Sequence, residues 1–163
     1  MYIEDVKTGQ KLEAVIEPIS AEDLKIIKSD PDFTFNWGKY KGMEVRKLRS
    51  LTDKKILGLM CIIDHTDPGT NAIQIECLEV RDENVGKKKK LDRIAGCLIA
   101  YACRESIKRG HDGHIYLYPK SNLIEHYQDK YGFFYTGPVV ISRTGIMIGE
   151  ERLARKLIKE YLE

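Results

Sequence analysis

The sequence predicts an α+β domain, a mixed central sheet flanked by helices. Three observations carry that prediction. From residue 72 onward, runs of strand length alternate with runs of helix length in a β-α-β-α-β series. The turn composition Asp67-Pro-Gly-Thr-Asn71 separates two apolar, β-branched runs and marks a hairpin. The segment from about 93 to 109 is apolar nearly all round between Ile94 and Cys103, as a helix buried against a sheet must be. At 163 residues the chain suffices for one domain, 1–163, with a sizeable core.

The elements follow in order. Lys11–Pro18 alternates and ends at proline, as a strand does. Ser20 is placed to cap a short helix over Ala21–Lys28, with Glu22 and Asp23 in its first turn. An aromatic loop, Phe33-Thr-Phe-Asn-Trp37, precedes a strand near Met43–Leu48. Its aromatic side chains and Tyr40 suit a core better than a pocket wall. Lys55–Asp64 suits a central strand, and Ala72–Val80 is its hairpin partner. The long helix ends at Gly110, with Lys108 and Arg109 at the negative end of its dipole. A strand at 114–118, a helix at about 121–131 closed by Gly132, a strand at 133–142 and an amphipathic helix at 150–162 complete the chain.

Composition excludes several function classes. Hydrophobic content of 42% with 32% charged residues is that of a folded domain, not a disordered one. A net charge of +2 creates no field that demands nucleic acid or an anionic membrane as partner. No apolar run approaches the ~20 residues of a membrane span, and the first residues lack a signal-like core, so a cytoplasmic location is expected. Cys61, Cys77, Cys97 and Cys103 lie singly in apolar segments and are expected as buried free thiols. The histidines show no ligand spacing, so no metal is expected.

The chemistry concentrates between residues 79 and 133. A lysine run, Lys87, Lys88, Lys89 and Lys90, immediately precedes the buried helix. The first turn of a helix presents backbone N–H groups without intrahelical acceptors, and the dipole favours negative charge there. An anion site is therefore expected at the head of this helix, with Arg93 able to add a bidentate contact.

The longer pattern resembles the GNAT (Gcn5-related) N-acetyltransferase family, in a bacterial group of uncharacterised substrate. The family motif Gln/Arg-x-x-Gly-x-Gly/Ala at the start of the long helix is matched with Lys90 at the basic position, Arg93 at the first glycine and Ala95 at the last. An alternative register uses Gly96 as the final glycine and Ile94 in the earlier slot. Leu78-Glu79-Val80 is similar to the family's Leu-x-Val strand edge, and His126-Tyr-Gln-Asp-Lys-Tyr-Gly-Phe133 to its tyrosine before Gly-Phe. The chain departs from the pattern at Arg93, in its longer lysine-rich loop, and in Tyr127, one residue further from Gly132 than the commonest spacing.

The resemblance implies a GNAT-like acyl-CoA N-acyltransferase fold and acetyl-CoA as acyl donor to an amine, small-molecule or protein. A homodimer is compatible with it. Leu78, Glu79 and Val80 would run along pantetheine; Lys87–Lys90, Arg93, Ile94, Ala95 and Gly96 would hold phosphates; Asn122 and Tyr127 would meet the coenzyme's reactive end. By the same resemblance the base is a carboxylate or a water held near the central strand, Glu79 being the first carboxylate candidate and Glu76 the second. Tyr127 is the acid, with Tyr131 as runner-up. A thiolate needs a proton, and a phenol with a pKa near ~10 can give one. Two rival readings stand beside this enzyme: a coenzyme-binding module without turnover, and a nucleic-acid binder using the lysine loop. The near-neutral balance weighs against the last.

Overall fold

Strand pairing brings nine short and long strands into one mixed sheet in a computed structural model that describes all 163 residues. In chain order they are β1 (Tyr2–Asp5), β2 (Lys11–Pro18), β3 (Glu44–Ser50), β4 (Ile56–His65), β5 (Ala72–Val80), β6 (Leu91–Asp92), β7 (Ile115–Leu117), β8 (Phe134–Tyr135) and β9 (Met147–Gly149). The helices are α1 (Ala21–Lys28), α2 (Ile94–Lys108), α3 (Ile124–His126) and α4 (Glu151–Leu162). The sheet order is β6-β1-β2-β3-β4-β5-β7-β9-β8; β5 and β7 run parallel, as the α2 crossover between them requires, and the other described pairs are antiparallel. The chain divides into two compact units, residues 1–62 with 77–98 and residues 63–76 with 99–163.

In the first unit, α1 begins at Ser20 with a full capping box: the Ser20 hydroxyl accepts from Asp23 N–H and the Asp23 carboxylate from Ser20 N–H. Ile27, Phe33, Trp37, Tyr40, Val45, Leu59 and Cys61 pack together, so the aromatic loop is core. Large rings with few rotors bury much apolar area at little entropic cost, which explains why an irregular segment can be so well packed. Two strands of this unit are not foreshadowed in the sequence. β1 and β6 pair only with each other and with β2, and two- to four-residue segments carry too little periodicity to be recognised.

In the second unit, residues 99–108 of the long helix lead to Gly110 at φ +82°, the left-handed C′ geometry expected there. The expected strand over 133–142 is corrected: β8 covers only Phe134–Tyr135, and its partner is β9, with a long turn between them. Gly137 and Pro138 interrupt the ladder, since proline has no N–H to donate. Buried His111 bridges the end of β4 and the turn after it, its Nε2 2.6 Å from Asp64 Oδ1 and its Nδ1 2.6 Å from Asn71 Oδ1.

Carboxylates paired in this way couple stability to pH. The Arg49 hydrogen bond holds Glu17 below its ordinary value. At Asp23 and Asp64 burial works upward, but bonds from Lys47 and Ser20 in one case, and from His111 and Arg109 in the other, outweigh it and leave both lowered. A lowered folded pKa means that the unfolded chain takes up protons first. The stabilisation is therefore complete above the unfolded values of ~4 and disappears as pH falls through the folded ones. Thermal melts should give a flat Tm from pH 7 to 5 and a progressive fall below pH 4; a Tm unchanged at pH 3 would remove these pairs from the account.

Candidate active site

The residues around the head of α2 belong to the first unit. A short 3-10 turn, Asp82–Asn84, follows β5, and the buried Asn84 carboxamide accepts Leu91 N–H at 2.9 Å, setting the exit of the loop. The first rung of the α2 ladder joins Cys97 N–H to Arg93 C=O at 2.9 Å, so the N–H groups of Ile94, Ala95 and Gly96 precede it. Ala95 is partly exposed while Ile94 and Gly96 are buried. Arg93 has φ +81°, a conformation that glycine adopts freely and arginine rarely. Its Nε donates to Tyr2 C=O at 3.2 Å and its guanidinium lies 4.0 Å over the Tyr2 ring. Those contacts anchor the side chain on β1 and offset part of the backbone strain.

The four lysines divide into two pairs. Lys89 is bound to Asp92 at 2.8 Å and Lys90 to Glu83 at 3.5 Å, with Lys55 also on Glu83 at 3.1 Å. Lys87 and Lys88 are exposed and without an ion pair, so their charges are available to an incoming anion.

Between the half-buried Leu78 and Val80 on β5, Glu79 turns inward and is 7% exposed. Its carboxylate accepts from Thr34 N–H at 2.7 Å, Thr34 Oγ1 at 3.1 Å, Phe35 N–H at 3.3 Å and Trp37 Nε1 at 2.7 Å. These donors engage both oxygens, so Glu79 anchors the aromatic loop. Two residues on, Arg81 is equally buried and pairs with Asp30 at 2.9 Å and Asp32 at 3.1 Å, donating also to Ile56 C=O. Alternating carboxylate and guanidinium thus tie residues 30–37 to the end of β5.

Glu76 lies in the second unit and is exposed. Gln74 Nε2 donates to it at 2.9 Å. The other end of that amide, Gln74 Oε1, accepts from the Tyr116 hydroxyl at 3.2 Å and lies 2.8 Å from His65 Nε2, itself 2.9 Å from Tyr116 Oη. The register makes the set possible: Gln74 sits opposite Tyr116 in the parallel β5–β7 pair, and Glu76 shares the face of Gln74 two residues along. Burial, with Tyr118, Asp67 and Glu76 nearby, pushes the Tyr116 phenol up to about 12, so it remains a donor at neutral pH. Gln74, His65 and Tyr116 are functional candidates that the sequence did not single out. They lie in three separate strands, and nothing in their local patterns announces the pairing that joins them.

Tyr127 opens a π-helical turn, Tyr127–Tyr131, that ends at Gly132 with φ +85°. A π turn holds one residue more than an α turn. The extra residue between Tyr127 and Gly132 is absorbed there, and Phe133 N–H still returns to Tyr127 C=O at 3.3 Å. Tyr127 is half-buried with its ring edge-on to Phe133, whereas Tyr131 is 2% exposed and packs on Tyr161. Asn122 is exposed in the 3-10 turn Ser121–Leu123 and makes no cap bond for the helix after it.

Cysteine chemistry is absent from these arrangements. All four cysteines are free; burial pushes the Cys97 thiol up to about 11 and Cys103 up to about 12, so neither is a thiolate at neutral pH. No group of three His, Cys, Asp or Glu residues is placed to hold a metal ion.

Comparison with solved structures places the architecture. A GNAT-family acetyltransferase from Listeria monocytogenes superposes with a TM-score of 0.57 at 14% identity, over 91% of this chain and 97% of that one. The ribosomal-protein-S18-alanine N-acetyltransferase of Escherichia coli gives 0.55 at 12%, over 83% and 91%. The AtaTR structure bound with acetyl-CoA gives 0.60 at 12%, over 90% and 98%. No protein-family model matches the sequence, and no curated protein matches it either.

Proposed function

The chain has the fold of the GNAT acetyltransferases, and we propose that it is an acetyl-CoA-dependent N-acetyltransferase acting on an amine by direct attack in a ternary complex. The observation that carries this reading is the head of α2. Three N–H groups precede the helical ladder, two unpaired lysines stand on the adjoining loop, and Arg93 adopts a glycine-like φ at the first glycine of the motif. These features suit a coenzyme pyrophosphate. Leu78 and Val80 would flank the pantetheine arm. Binding of acetyl-CoA in a neighbour of the same fold supports the choice of donor.

The coenzyme supplies a thioester; transfer forms an N–C bond, breaks the C–S bond and releases one proton. Glu76 is the better base, because its carboxylate is exposed and oriented by a single donor, while the acceptor sites of Glu79 are taken by the aromatic loop. Glu76 takes a proton from the ammonium form of the acceptor. The Tyr127 hydroxyl protonates the departing thiolate, and the proton shed by the new amide nitrogen restores the phenol. Gln74, held by His65 and Tyr116, keeps Glu76 in place.

Calorimetric titration with acetyl-CoA tests the reading. Binding in the micromolar range is expected, and a Lys87→Ala/Lys88→Ala pair should weaken it about five- to thirty-fold, since each exposed ion pair contributes up to ~1 kcal/mol. That deficit should shrink at high salt. No binding at millimolar coenzyme would end the proposal.

A further inference from the structure

We infer that the acceptor is a primary amine carried on an apolar group about the size of an aromatic ring, bound on the open sheet face of the second unit. The inference deepens the transferase reading and rests on it for the role of the amine. Gln74, Tyr116 and Ile148 stand in register across β5, β7 and β9, so their side chains share one face. A groove of about 400 Å³ opens there, walled by Ala72, Tyr116, Tyr118, Ile141, Ile146 and Ile148. Ile141 is 74% exposed and Tyr118 44%, unusual for side chains of their size unless something covers them.

Charge selects the occupant. No lysine or arginine lines the groove. Glu76 is joined to its wall through Gln74 and Tyr116. Walls that are mostly apolar, with Thr70 and His114 as their other polar members, a carboxylate at the edge and no lysine or arginine, recognise an ammonium on an apolar body. A short polyhydroxylated amine or a polyamine leaves the isoleucine and tyrosine surfaces wet. The same arrangement places the ammonium beside the carboxylate that must take its proton.

The test is calorimetric titration of the full chain with 2-phenylethylamine, ethanolamine, spermidine and the uncharged 2-phenylethanol, each with and without acetyl-CoA. Phenylethylamine should bind at least ten-fold tighter than ethanolamine or spermidine, the ratio expected for burying an aromatic body. Tyr118→Ala and Ile141→Ser, both at exposed positions that spare the fold, should each weaken it about three-fold or more. Glu76→Gln should weaken phenylethylamine and leave phenylethanol unchanged. Equal binding of the polar amines, or unaltered binding in the Tyr118 and Ile141 variants, overturns the inference. Turnover of spermidine without binding of phenylethylamine would leave the transferase reading intact and this one lost. Selective phenylethylamine binding without any acetyl-CoA binding would do the reverse.

Discussion

Glu79→Ala should cost about 3 kcal/mol or more of unfolding free energy, because it strands several buried donors at once. The side chain is 7% exposed and receives hydrogen bonds from Thr34, Phe35 and Trp37. An unsatisfied buried donor costs ~1–3 kcal/mol, and water entering the space recovers only part of the total. Glu79→Gln should fall between, since it keeps one acceptor oxygen but turns an NH₂ group toward donors. Trp37 fluorescence during urea unfolding reads the effect directly, as its indole N–H is one of the donors. A loss below about 1 kcal/mol would show that the aromatic loop holds its place without the carboxylate.

Tyr127→Phe should lower kcat by about 10²–10⁴-fold, the usual range for a group that donates a proton in the rate-limiting step. Affinity for acetyl-CoA should stay within about two-fold, because phenylalanine preserves the ring that meets Phe133 edge-on. Tyr131→Phe is the control: its ring packs among His126 and Tyr161, and turnover should change little. Single-turnover kinetics with 2-phenylethylamine separate the two variants. Full turnover in Tyr127→Phe removes that hydroxyl from the chemistry and leaves thiolate protonation to solvent.

Much of the fold was legible. The strand over Lys11–Pro18, the Ser20-capped helix, the hairpin strands around 67–71, the buried helix and its Gly110 terminus each carry a local signal, whether periodicity, a cap or a turn. β1, β6, β9 and the shortening of the expected strand over 133–142 to the two-residue β8 were not legible, because strands of two to four residues exist only through their partners. The candidate site divides along the same line. The lysine run ahead of α2 and the tyrosine before Gly-Phe stand out in the chain itself.

The roles within that site depend on which groups meet. Glu76 and Glu79 are chemically alike and three residues apart, and no pattern in the sequence distinguishes an anchor from a base. Tertiary structure gives them different partners, presenting the donors of the aromatic loop to Glu79 and a single glutamine to Glu76. Lys87 and Lys88 differ from Lys89 and Lys90 only because Asp92 and Glu83 come within reach of the latter pair. By itself, the sequence determined the longer elements and the lysine run that precedes the buried helix, since backbone geometry and spacing are local properties. What each charged side chain is free to do was decided by the sheet, because that freedom is a matter of partners distant in the chain.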